Sequence, residues 1–234
     1  MKAIFYPILI SGALIASIIN PETSVQKTKI LIDNSRLTYN INEKNKLEGA
    51  YFVENTDRNI WIRGSYKEEK RVGNWYAFNS NKTVFMRYNY DTKKILALDT
   101  IALKKAEITI TDKNEEYAKN ASAPLPICSI DQYTSLLVEA AKTSFPKDNI
   151  IYNKPFSITI NAVVKSAKNV TYTASYAYLG RNYVFDISTK NLDFNIDWIP
   201  SSYNGKDVEA EFKVTTSTEF STNGTGKLRF KWNY

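Results

Sequence analysis

Residues 63–79 read Arg63-Gly64-Ser65-Tyr66-Lys67-Glu68-Glu69-Lys70-Arg71-Val72-Gly73-Asn74-Trp75-Tyr76-Ala77-Phe78-Asn79. Two short runs rich in rings and small residues flank five consecutive charged residues, the pattern of two strands joined by a tight turn. In each run a glycine precedes a large ring by two positions, so ring and glycine share one face of the pleat. The glycine lets another group approach the backbone closely. This strand–turn–strand unit sets the reading of the chain around it.

The same pattern extends outward in both directions. Gly49-Ala50-Tyr51 repeats the glycine-ring spacing, and Tyr88 follows Tyr66 by 22 residues, a period that suggests units stacked on their neighbours. Strands are predicted at 29–32, 37–41, 48–55, 59–67, 73–79, 83–90, 93–98 and 105–112, with turns rich in Asn, Asp and Lys. Glycine is scarce in those turns: Asn79-Ser80-Asn81-Lys82 links two of them. Two readings are open for Trp61, Trp75, Tyr76, Tyr88 and Tyr90. The rings either pack the hairpins together as cross-strand pairs or present faces for stacking on sugars.

The stretch 63–79 resembles the MORN-like repeats of bacterial envelope proteins, in which a G-x-Y strand, a polar turn, G-x-W and an aromatic pair recur. The resemblance covers about residues 48–98 and implies an antiparallel meander of hairpins.

Beyond residue 112 the periodicity stops. Residues 113–128 gain polar, small and proline residues and read as a linker. A helix is predicted over 129–146, with Ser129 as its cap, Gln132 at the capping-box spacing and Pro146 at its end. Ile130, Tyr133, Leu136, Leu137, Ala140 and Ala141 form its apolar stripe. Strands are predicted at 155–165, 169–178, 182–187, 207–216 and 227–233, and Leu192, Phe194, Ile196 and Trp198 alternate with Asp193, Asn195 and Asp197 as on a half-solvated strand.

Trp198-Ile199-Pro200-Ser201-Ser202-Tyr203-Asn204-Gly205-Lys206-Asp207-Val208 is similar to the signature of the TonB C-terminal domain, and Phe145-Pro146 matches that family's helix end. The resemblance implies a helix-and-sheet module over 126–234 that binds partner segments by adding a strand at a sheet edge. It also implies a structural Trp198 and an Asn204-Gly205 turn leading into the last long strand.

The expected organisation is a leader at 1–20, a hairpin-repeat domain at 21–112, the linker at 113–128 and a domain at 129–234. The fold class is α+β, mostly β: a meander followed by one helix on an antiparallel sheet, with an immunoglobulin-like sandwich for 150–234 as the alternative. The length of 234 residues suits two small cores.

Lys2 followed by an uncharged run from Ala3 to Ile19 reads as a secretory signal or short anchor. That places the protein in the periplasm or envelope, with membrane contact only through this segment. Histidine is absent and Cys128 is the only cysteine, which excludes His-based triads and internal disulfides. The net charge of +7 is spread singly rather than gathered in a stripe, so a nucleic-acid partner is not expected. Ser144-Phe145-Pro146-Lys147 puts its serine at the end of a helix, where an S-x-x-K nucleophile should open one. Gly224-Thr225-Gly226-Lys227 reads as a hairpin turn rather than a phosphate loop.

No metal, no cofactor and no enzyme activity is expected. The expected function is binding or scaffolding of an envelope protein partner, with a carbohydrate-binding or glycan-active envelope protein that uses exposed rings as the alternative. Tyr203, Asn204 and Lys206 are the candidate contacts on the turn, and Trp75 and Tyr76 those on the repeats.

Overall fold

The computed structural model describes residues 24–145, 155–190, 192–223 and 227–232, with side chains described as far as residue 217. The expected leader at 1–20, Pro146 and the turn residues 224–226 lie outside the described residues.

The first sheet is a seven-stranded antiparallel meander in which each strand pairs with the next: β1 (Val25–Ile30), β2 (Arg36–Ile41), β3 (Leu47–Glu54), β4 (Ile60–Lys67), β5 (Lys70–Phe78), β6 (Val84–Asn89) and β7 (Lys94–Leu98). Asparagine replaces glycine in its turns. Asn42 Oδ1 accepts from the backbone N–H of Lys44 and Lys46, both at 3.0 Å, and Asn55 Oδ1 accepts from Asp57 and Asn59 at 3.0 and 2.9 Å. The last turn residue takes the left-handed conformation, at φ 58° in Asn45, 65° in Arg58 and 69° in Lys82. Side-chain acceptors thus satisfy the turn amides that a shorter Asn-Gly loop would hide.

The chain then leaves this sheet through α1 (Thr100–Leu103) and enters β8 (Ala106–Ile110). Sequence placed that strand in the repeat domain, but it pairs antiparallel with β16 (Ala210–Asn223) of the second sheet. The 113–128 segment, read as a linker, has structure of its own. It holds helix α2 (Glu115–Asn120) and the short strand β9 (Leu125–Pro126), and Leu125, Ile127 and Cys128 are buried.

Helix α3 (Ile130–Ser144) follows. Ser129 Oγ accepts from Gln132 N at 3.2 Å, but the Gln132 side-chain atoms are buried without a hydrogen-bond partner, so the reciprocal half of the capping box does not form.

The second sheet runs β12 (Arg181–Asp186), β11 (Asn169–Tyr178), β10 (Pro155–Ser166), β16 and β17 (Lys227–Trp232), with β8 on the first half of β16. These strands make one antiparallel sheet covered by α3, so the immunoglobulin-like alternative is not what forms. The alternating stretch 192–197 is irregular rather than a strand, and it leads into β13 (Trp198–Ile199), which pairs with β9.

Helix α3 serves both sheets. Leu136 packs with Leu37, Val53, Ile62 and Trp75 of the first sheet, whereas Tyr133, Leu137, Ala140 and Ala141 pack with Ile158, Ile160 and Phe212 of the second. A helix buried on nearly every side must be covered from both. The two expected cores therefore meet across it, and Ala77, Phe85 and Met86 of the first sheet join the second sheet's cluster. At its start, Asp131 Oδ2 accepts from Ser80 N at 2.8 Å; further along, Ser135 Oγ donates to Asp33 Oδ2 at 3.0 Å. Both bonds tie the helix to turns of the meander.

Candidate functional site

Of the residues singled out in the sequence, Tyr203, Asn204 and Lys206 fall on one hairpin, formed by β14 (Ser202–Tyr203) and β15 (Lys206–Asp207). Positive φ at Asn204 (49°) and Gly205 (74°) is the type I′ combination that matches strand twist. Tyr203 donates its hydroxyl to Glu116 Oε1 at 3.0 Å, and its ring lies 5.5 Å from Tyr117. The bond to Glu116 raises the Tyr203 hydroxyl pKa. Tyr203 is thus pinned to α2, and Lys206 stands exposed beside it.

Trp75 goes elsewhere. It is 1% exposed and no ligand can stack on it, because its indole fills the space beside Gly64, where an added Cβ would come within 2.2 Å of the ring. The ring covering Gly64 thus comes from the neighbouring strand β5, not from Tyr66 two positions along β4. Tyr51, Tyr66 and Tyr90 surround Trp75 at 5.4–5.6 Å from ring to ring.

Inside that cage sits a cation from the chain itself. The Arg71 guanidinium lies 4.2 Å from the Trp75 ring, donates from Nε to Tyr66 Oη at 3.0 Å, from Nη1 to Tyr90 Oη at 2.9 Å and from Nη2 to the Asn195 carbonyl at 3.3 Å. Asp197 closes the cluster, 3.4 Å from Arg71 Nε, and accepts from Tyr90 Oη at 2.8 Å. Burial alone would lower the Arg71 pKa, but Tyr90, Asp197 and Tyr66 outweigh it and hold the guanidinium charged. Burial pushes the Tyr90 hydroxyl far above its ordinary range. Asp197, expected on a solvated strand face, is instead the carboxylate that joins 192–198 to the first sheet. The signal missed in the sequence was Arg71, the last of the five charged residues between two glycine-ring units.

Tyr76 lies on the opposite, outer face, half-buried, with Arg63 at 5.1 Å and Arg87 at 5.5 Å from its ring centre. Neither arginine was singled out, because 63, 76 and 87 have no sequence period. Only strand register sets them side by side.

The sheet edges complete the candidate surfaces. The outer strand β12 packs the half-buried Tyr183 and Phe185 against Tyr176 and Phe145, but leaves Val184 69% exposed. Leu179, in the turn before it, is 82% exposed at φ 48°. At the other sheet's edge, β1 is exposed along its length and carries Lys27 and Lys29.

The described residues contain no group of three or more acidic, cysteine or histidine side chains placed to hold a metal ion. No described helix is long and apolar enough to cross a membrane. Cys128 is buried, and its thiol pKa is pushed up by that burial. The fold and surfaces together define a mostly β, α+β protein whose rings and arginines chiefly hold its own sheets together. No protein-family model, curated protein or solved structure matches the chain.

Proposed function

We propose that the chain is an exported, non-enzymatic component of a bacterial envelope that binds a protein partner by strand addition at β12. The observation that carries this is the character of that edge. β12 is an outer strand of six residues with an exposed Val184 at its centre, and its charges, Arg181 and Asp186, stand at its two ends. Natural edge strands are usually blunted by lysine, proline or a bulge. Edge strand β1 carries two lysines, but β12 has none of these devices. The resemblance of 198–208 to the TonB C-terminal signature supports the same mode of binding, and the apolar leader supports export.

Hydrogen exchange tests the reading, using the exported chain whole because α3 needs both sheets. Amides of residues 181–186 should gain protection in the presence of an envelope extract fraction that the chain captures, and Val184→Lys should abolish both capture and protection while leaving the melting temperature within a degree or two. Unchanged protection on capture, or equal capture by Val184→Lys, refutes strand addition here. A reporter active only outside the cytoplasm, fused to residues 1–20, tests the address.

Carbohydrate binding is the second reading. It no longer includes Trp75, but Tyr76 with Arg63 and Arg87 supports it.

A further inference from the structure

The outer face of the first sheet carries a row of side chains used neither by the Arg71 cage nor by the β12 edge. Register pairs Phe52 with Arg63, Arg63 with Tyr76 and Tyr76 with Arg87 on successive strands β3 to β6. Besides Tyr76, the Arg63 guanidinium covers Phe78 at 5.5 Å, and Tyr76 and Phe78 stack at 6.4 Å. Among the described residues, no carboxylate forms an ion pair with Arg63 or Arg87. Arg87 Nε is enclosed yet has no hydrogen-bond acceptor.

An open groove of about 390 Å³ lies alongside, lined among others by Phe52, Ile60, Arg63, Ser65, Asn74 and Tyr76. That volume is within the range of about 300–1,000 Å³ usual for ligand clefts. Asn74 Oδ1 accepts from Asn89 Nδ2 at 2.9 Å, which leaves the Asn74 amide hydrogens for another acceptor.

We infer that this face binds an acidic polysaccharide, its carboxylates held by Arg63 and Arg87 and a sugar ring laid along Phe52 and Ile60. Two guanidiniums without anionic partners, steadied over one aromatic plane, are preorganised forks for planar carboxylates. Ser65 and Asn74 supply hydrogen-bonding groups for sugar hydroxyls. A peptide is disfavoured because the backbone groups of central strands are already paired, so an added strand finds nothing there to bond. A polynucleotide is disfavoured because bases need free ring faces, and guanidiniums lie over Tyr76. The site is separate from the edge proposed for a protein partner.

Calorimetric titration of the exported chain with hexagalacturonate tests it, with the fully methyl-esterified hexamer and hexaglutamate run in parallel at about 50 and 300 mM salt. The acid hexamer should bind, should weaken as salt rises, and should bind at least about tenfold tighter than its ester, since hydrogen bonds to charged groups carry about that factor each. Arg63→Gln and Arg87→Gln should each cost about tenfold, whereas Val184→Lys should bind as the parent does and so separate this site from strand addition.

Equal affinity for acid and ester, or no response to the acid hexamer at millimolar concentration, overturns the inference. So does full binding by the double arginine variant, and hexaglutamate binding as tightly would reassign the face to acidic peptides. The ligand comparisons use the unmodified chain, so they decide the matter even if an arginine variant fails to fold.

Discussion

Arg71 is the residue whose replacement should be felt most widely, because one guanidinium joins the meander to the 192–198 crossing. Its side chain is only 7% exposed, and it donates to Tyr66, Tyr90 and the Asn195 carbonyl while lying 4.2 Å over Trp75. Breaking a buried pair commonly costs about 3–5 kcal/mol, and a desolvated cation–π contact adds about 2 kcal/mol. Asp197, however, is 39% exposed and can recover water, so the pair itself should be valued near the lower end. Arg71→Ala is therefore expected to cost about 3–4 kcal/mol and Arg71→Lys about half of that, since an ammonium keeps the charge over Trp75 but cannot span Tyr66 and Tyr90 together. Urea denaturation at pH 7 measures both, and an unchanged m-value shows that the same cooperative unit unfolds. A double-mutant cycle with Asp197→Asn should give a coupling of about 1 kcal/mol or more. If Arg71→Ala falls within about 0.5 kcal/mol of the parent, or if Lys is as damaging as Ala, the cage does not hold the sheets together as described.

Three further outcomes are expected. Trp198, 4% exposed and donating to Tyr172 Oη at 2.7 Å, should cost about 3–5 kcal/mol when replaced by Ala, whereas Lys206→Ala should stay within about 0.5 kcal/mol; thermal melting of the two variants checks the contrast. Burial alone would raise the Asp131 pKa, but the Ser80 amide and Lys105 hold it below its usual value, so its contribution is present above about pH 4 and lost as pH falls through the lowered folded value. Asp131→Asn should accordingly be destabilised at neutral pH, and urea midpoints should show the gap to the parent closing in acid; a gap independent of pH would contradict this. Glu68 and Glu69 both have positive φ (51° and 65°) in the β4–β5 turn, which favours Asn-Gly, so replacing the pair by Asn-Gly should raise stability by about 1 kcal/mol in the same urea assay.

Local chemistry was legible without coordinates. Period-two alternation and polar turns located the meander strands, with β1 shifted toward the N-terminus from the predicted 29–32. Ser129, the apolar stripe and the expected stop at Pro146 located α3, and Asn204-Gly205 located a tight hairpin, because caps, periodicity and left-handed turn residues act within a few positions of the chain. Composition likewise removed histidine chemistry and internal disulfides.

What lay beyond local reach was decided by packing. Leu192 to Asp197 alternates as a strand does, yet no neighbouring strand offers it a ladder; its apolar residues fill the junction, and Asp197 turns to Arg71. β8 reads like the strands before it but finds its partner about a hundred residues later in β16. Trp75 and Tyr76 are adjacent in sequence and similar in kind, and the pleat sends one into the core and the other out between two arginines. Sequence located the meander strands and α3, since backbone propensity and turn chemistry are local; only the tertiary structure decided which faces meet and that 192–197 forms no strand, since cross-strand register and the burial of charge depend on residues far apart in the chain.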